Sequence, residues 1–208
     1  MQVTTFCLTF FLIPPRISLR GIEMKFIVLL VAIFLVVMPG IAFSTENSAK
    51  EMIMNQVHQE LAVNLFNQSW DILLKEGRDR KDEDTLVNVV HASLYHWRQI
   101  GEPINILRGE WMIAHVYTLL GHKEEALYHA ENVMTLKEEL NPLDWDLAYC
   151  YEAMARVMAL WGDQTGFEQY YEQALAAGKA IQDPASRQQF ESDMQDEYWF
   201  GMIKVPKP

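Results

Sequence analysis

Three side chains in this sequence could act together on a ligand. Arg108, Trp111 and His115 stand at i, i+3 and i+7, a spacing that sets them on one stripe of a helix. A guanidinium beside an indole can grip a carboxylate and pack an apolar group, the chemistry of a peptide- or carboxylate-binding surface. The competing reading is structural: Trp111 packs against Tyr151 or Trp97, and Arg108 pairs with a neighbouring acid.

A second cluster, His91, Tyr95, His96 and Trp97, offers imidazoles and aromatic rings to a small molecule or a metal ion. Five residues turn about 140° around a helix, so His91 and His96 cannot easily reach one ion. His91 with Tyr95, at i, i+4, reads better as a local pair around a core histidine, and Glu125 with His129 as an ordinary hydrogen bond. The sequence contains no H-E-x-x-H, no paired cysteines, no acidic calcium loop, no phosphate-cradling glycine loop and no G-x-S-x-G elbow. It therefore assigns no catalytic residue, no metal ligand and no cofactor.

Charge narrows the partners. The chain carries −11 overall, and residues 1–44 hold three cations against one carboxylate, a local +2, so the remainder carries −13. Such a surface repels phosphate backbones, and no basic stripe overrides it, which excludes nucleic acid and favours basic peptides or cationic protein surfaces.

The N-terminal third reads as an address. The apolar run FIVLLVAIFLVVM (26–38) follows Met24-Lys25 and precedes Pro39-Gly40, with small residues Ala42 and Ser44 before a cut after Ser44. At 13 residues the run is short of the ~20 that span a bilayer, so residues 24–44 are expected to be a signal peptide. Export to the periplasm or beyond follows. The alternative is an inner-membrane anchor over residues 26–43, the one case in which a membrane becomes a partner. Residues 1–23, upstream of a complete signal, read as an over-extended start. Cys7 falls there, leaving Cys150 alone in the mature chain and expected as a small buried hydrophobe.

The elements that position these residues are helices throughout. Met54, Val57, Leu61, Leu65 and Ile72, widened by Phe66, Trp70 and Leu73, predict a first helix over 49–76. RDRKDED (78–84) reads as a solvated link, with Asp82 or Asp84 capping a second helix over 85–100. Gly101, Pro103, Gly121, Pro142 and Gly162 punctuate the helices that follow. Ala126, Ala130 and Val133 give the fourth a small-residue stripe. Phe167, Tyr171, Ala174, Leu175 and Ile181 belong to the sixth, and Asp183-Pro184 starts a seventh through Phe190, Met194 and Tyr198. Gln188, Glu191 and Gln195 give that helix the polar outer face of a cap. Tyr198-Trp199-Phe200 is expected to pack beneath the last hairpin, and residues 204–208 form a tail.

Gly109–Glu131 is one hairpin, and its plan recurs: Ala114 to Ala155 and Gly121 to Gly162 are both 41 residues. A mid-helix Ala114, Tyr117, a turn at Gly121 and Ala126 resemble the tetratricopeptide repeat. The second copy carries Met158 and Phe167 in place of Tyr117 and Ala126. HASLYHW (91–97), RGEW (108–111), LGHKEEALYHAE (120–131) and YEAMARVMALWGD (151–163) also resemble an uncharacterised bacterial family of tetratricopeptide-like proteins, which implies a fold and no activity.

The resemblance implies an all-α, short right-handed α-solenoid of antiparallel hairpins over residues 45–203, with about seven helices. Its first helices would line a groove at Arg108, Trp111, His115 and Thr118, then Tyr149, Glu152 and Arg156. The expected function is a non-catalytic adaptor or scaffold binding a protein or peptide; the alternative is a small-molecule or metal-binding protein using residues 91–115. If Ala126 faces a neighbouring helix, Ala126→Trp costs about 1–3 kcal/mol by overpacking. Thermal melting checks this, and an unchanged midpoint would refute the pairing.

Overall fold

The computed structural model describes residues 24–195 and 199–203, with side chains from 47 onward. The over-extended start expected at residues 1–23, Tyr198 and the tail lie outside that set. The chain divides into two compact units, Met1–Glu51 and Met52–Pro208. Of the first, the described part is helical backbone from Met24. Among residues with described side chains, no helix is long and apolar enough to cross a membrane. Side chains are described only from residue 47, so the apolar run at 26–38 falls outside that search.

Seven α-helices and no strand appear among the described residues: α1 (Met24–Leu73), α2 (Arg80–Ile100), α3 (Pro103–Leu120), α4 (Lys123–Leu140), α5 (Asp144–Trp161), α6 (Gln164–Gly178) and α7 (Pro184–Asp193). Helices adjacent in sequence pack from α2 through α7, and α3 also touches α5, as α5 touches α7. Joined by turns of a few residues, these neighbours run antiparallel.

The boundaries follow local chemistry. Gly121 and Gly162 both enter the left-handed region, φ 78° and 80°. At each, two N–H groups return to the last turn, Gly121 N to Thr118 O and His122 N to Tyr117 O, Gly162 N to Ala159 O and Asp163 N to Met158 O. This is the Schellman closure that glycine permits without a Cβ clash. The 41-residue repeat thus recurs as identical turn geometry.

Five boundaries differ from the sequence reading. α1 runs through Pro39-Gly40, because an interior proline costs a helix about 3 kcal/mol without forbidding it. It ends at Leu73 rather than Glu76, with Gly77 left-handed in the turn beyond. α2 begins five residues early: Asp79 accepts from Asp82 N at 2.9 Å while the Asp82 carboxylate accepts from Asp79 N at 3.1 Å, a reciprocal capping box. The charged link is therefore a first turn, with Asp82 and Glu83 at the positive end of the helix dipole. α6 stops at Gly178, leaving Ile181 buried in the following turn, and Met194 caps α7 rather than lying within it.

The apolar face expected of the first helix is only half used. Ala62, Ser69 and Leu73 are buried, but Met52, Ile53, Met54, Val57 and Leu61 are exposed. α2 begins and ends where it can cover only the later turns. There Ser93 Oγ donates to Ala62 O at 2.8 Å, and Leu73, Leu86, Val90, Leu94, Met112, Ile113 and Val116 form one core. Ala114, Ala126, Ala130, Met154 and Val157 form the next, between the two repeats. The outer face of α7 is polar as expected, with Gln188 and Glu191 exposed and Gln195 exposed just beyond its end. Trp199 is buried against Phe167 and Tyr171, whereas Phe200 is exposed.

α7 closes on α6 at a glycine. A Cβ at Gly178 would lie 2.3 Å from the Phe190 ring, and Phe190 is buried with no room to yield. Gly178→Ala is expected to cost about 1–3 kcal/mol through overpacking. Chemical denaturation reads the loss; an unchanged midpoint would place this contact elsewhere.

Candidate functional site

α1, α3, α5 and α7 surround a cavity of about 1030 Å³. Arg108, Trp111 and His115 reach it from α3, and Tyr149, Glu152 and Arg156 from α5. Both sequence-predicted rows therefore line one space. Thr118 does not: it is buried, and its hydroxyl donates to Ala114 O at 2.8 Å within its own helix.

Most of the polar groups on these walls engage one another. Arg108 donates from Nε and Nη2 to the two Asp146 oxygens at 2.9 and 3.0 Å, a bidentate pair, with its guanidinium 4.4 Å from the centre of Trp145. The expectation that Arg108 pairs with a neighbouring acid is met. Trp111 takes neither Tyr151 nor Trp97 but stacks on His115 at 5.2 Å, meets Tyr149 edge-on at 5.4 Å and approaches Trp70 at 6.1 Å. Its indole N–H donates to Glu152 at 2.9 Å.

Glu152 and Arg156 are almost wholly buried and form an i, i+4 ion pair. Arg156 reaches on to Asp193 O at 2.9 Å and lies over the Trp199 ring at 4.4 Å. The Tyr149 hydroxyl donates to the Asp193 carboxylate at 2.6 Å. Burial raises the pKa of Asp193, with the nearby Glu152 charge adding to it against the hydrogen bonds from Tyr149 and Gln189. Burial also raises the phenol of Tyr149, and its bond to Asp193 raises it further. Cys150 lines the same cavity, fully buried as expected. Its thiol is pushed up to about 12 by burial, with Asp146 adding to the effect. At neutral pH it stays protonated, a poor nucleophile.

The second cluster does not hold together. His91 Nε2 bonds the Tyr117 hydroxyl at 2.9 Å rather than Tyr95, and its ring lies 5.4 Å from His129. His96 turns to α1, its Nδ1 2.8 Å from Nδ1 of His58. Tyr95 is exposed beside that pair, and Trp97 is buried. The 140° between His91 and His96 sends them to different helices, so these four residues form no common site. Among the described residues no group of three or more His, Cys, Asp or Glu is placed to hold a metal ion. His129 likewise pairs with Glu110 at 2.6 Å rather than with Glu125.

Sequence reasoning missed much of the cavity wall. Phe66, Trp70 and Leu73 were legible as the apolar face of the first helix, but nothing local assigned them to a cavity rather than a core. Asp146 left a findable signal: Tyr149 is the repeat equivalent of Arg108, and Asp146 lies one turn before it. Arg78 and Asp193 left none, since each arrives from an element outside the repeat. No family model, curated protein or solved structure matches this chain.

Where α2, α3 and α4 meet, Glu110 is buried and accepts from Arg98, from His129 Nδ1 and from Asn132 Nδ2 at 3.2 Å. Burial alone would raise its pKa; the bonds from His129 and Asn132 overcome that and leave it below the usual 4.5. A depressed carboxylate stabilises the fold fully above its unfolded pKa, and that stability is lost as pH falls through the folded value. His91 is held below 6.5 by burial, then by the His129 charge, so its contribution is complete above 6.5 and declines on acidification. Melting temperature should fall in two stages, below about 6.5 and again below about 4.5. Glu110→Ala should lose about 1–3 kcal/mol at pH 7 and flatten the second stage; an unaltered acid limb in that variant would exclude Glu110 as its source.

Proposed function

We propose that this chain is a non-catalytic, exported helical-repeat module, a short right-handed α-solenoid of the tetratricopeptide type, that holds a protein or peptide partner on the face shared by α3 and α5. The observation that carries the reading is the convergence of Arg108, Trp111, His115, Tyr149, Glu152 and Arg156 on one cavity. Matched turns at Gly121 and Gly162, and contact between α3 and α5, support the repeat architecture. The apolar run at 26–38 supports export, and inner-membrane attachment through residues 26–43 is the other outcome of the same segment.

The binding logic is that of an anchor. Trp70, Trp111 and Trp145 offer aromatic walls, and the paired arginines fix those walls without demanding a counter-charge from the partner. An apolar side chain of the partner entering here would be desolvated, as at the centre of protein interfaces. The acidic exterior favours cationic residues flanking that anchor. A small-molecule ligand remains the second reading because the cavity is at the upper end of the ~300–1,000 Å³ typical of organic ligands.

Pull-down from envelope extract with wild type and with Arg108→Ala/Trp111→Ala tests the assignment. The double variant is expected to lose partners that wild type retains. Identical partner sets from the two, with both folded, would remove the α3 face from the binding surface.

A further inference from the structure

Among the described residues, no helix covers one apolar stripe of α1. Within the unit Met52–Pro208, Ile53, Met54, Val57 and Leu61 are 63%, 55%, 41% and 40% exposed. They fall within about 100° of the helix circumference. Met54, Val57 and Leu61 stand at i, i+3 and i+7, the spacing of a helix–helix seam. Tyr95 of α2 is also exposed and extends the patch, its ring 6.4 Å from that of His58 on α1. Phe66 and Trp70, which carry α1 into the cavity wall, lie on roughly the opposite side of the helix. The stripe and the cavity are separate surfaces.

Charge decides what can cover the stripe. Residues 45–208 carry −13, yet from Met52 to Trp70 the only carboxylate is Glu60, with no Lys or Arg. Glu60 sits at the edge of the stripe, where its carboxylate accepts from Gln56 Nε2 at 3.1 Å. Most other polar positions of this stretch are amides: Asn55, Gln56, Gln59, Asn64, Asn67 and Gln68. A cationic partner, favoured by the acidic exterior elsewhere, gains little on so uncharged a face. An anionic lipid surface is drawn by Lys and Arg on the polar side of an interfacial helix, and this stretch has neither. A second copy of the chain is repelled over most of its acidic surface, and least here. We infer that two copies of this chain pair through the Ile53–Leu61 stripe of α1, in an isologous contact to which both contribute the same residues. The pairing goes beyond the partner reading above and does not depend on it. Because the patch is small, the dimer is a weak one, with dissociation on the order of micromolar.

Disulfide trapping in the full chain tests the pairing, in a Cys7→Ser background with Cys150 buried in the core. Val57 lies at the centre of the stripe and meets its own equivalent in either parallel or antiparallel pairing. On mild oxidation, Val57→Cys is expected to give a disulfide-linked dimer on a non-reducing gel. Val63→Cys, as exposed as Val57 but about 120° away around the same helix, should stay monomeric. Adding Leu61→Glu to Val57→Cys sets like charges across the seam and should cut the linked fraction about tenfold. All three positions are exposed, so a melting temperature equal to wild type shows that each variant folds. Equal trapping at Val57 and Val63, no trapping at Val57, or a linked fraction indifferent to Leu61→Glu would overturn the inference. Flotation with phosphatidylglycerol vesicles that Leu61→Glu abolishes, without trapping at Val57, would overturn it in favour of a lipid surface. None of these outcomes bears on the cavity, which the Arg108→Ala/Trp111→Ala variant tests separately.

Discussion

The hydrogen bond from the Trp111 indole to Glu152, and the ion pair of Glu152 with Arg156, tie the two repeats together. A carboxylate and a guanidinium as deeply buried as these would each be costly alone, since removal from water takes several kcal/mol per ion. Here the carboxylate is satisfied from two sides, by an indole N–H of α3 and a guanidinium of α5. That guanidinium then reaches the backbone of Asp193 at the end of α7 and lies across Trp199. Four segments are fixed through one charge-assisted chain. Its directionality defines how the helices stand in a way that apolar contact, indifferent to orientation, does not.

This constraint also explains why a cavity survives. Around α3 and α4 the chain uses small residues: Ala114, Ala126 and Ala130 are buried, and Gly109 sits so close to Leu94 that a Cβ would come within 2.9 Å of it. Helices packed on such residues approach closely and leave little space. On the opposite side of α3, large planar rings replace alanines, and Trp111, Trp145 and Tyr149 are held by specific partners rather than collapsed on one another. Rings pinned by hydrogen bonds and a cation cannot slide to fill the gap. The polar network therefore acts as scaffolding for an aromatic enclosure.

A second polar centre, Glu110 with Arg98, His129 and Asn132, links α2, α3 and α4 from the other face of α3. Glu110 and Trp111 are adjacent in sequence, about 100° apart around their helix, and meet different neighbours: Glu110 meets α2 and α4, Trp111 meets α1 and α5. α3 is thus clamped on both flanks by buried carboxylates, one its own and one from α5.

The sequence by itself determined the helices, their terminators and the repeat. Gly121 and Gly162 had to close their helices, because left-handed backbone favours glycine, and apolar periodicity marked the packed face of the helices after α1, whose own early apolar face stays exposed. The period even placed Trp111 and Glu152 at equivalent positions, 41 residues apart, though it gave no reason for them to bond. Only tertiary structure decided the partners: that His91 meets Tyr117 rather than Tyr95, that His129 meets Glu110 rather than Glu125, and that Arg78 and Asp193 join the cavity. Helical spacing specifies which residues share a face of one helix, a property of a few consecutive turns. Which neighbour that face meets depends on crossing geometry summed over the whole stack. That sum gathered two rows, legible separately, into one enclosure.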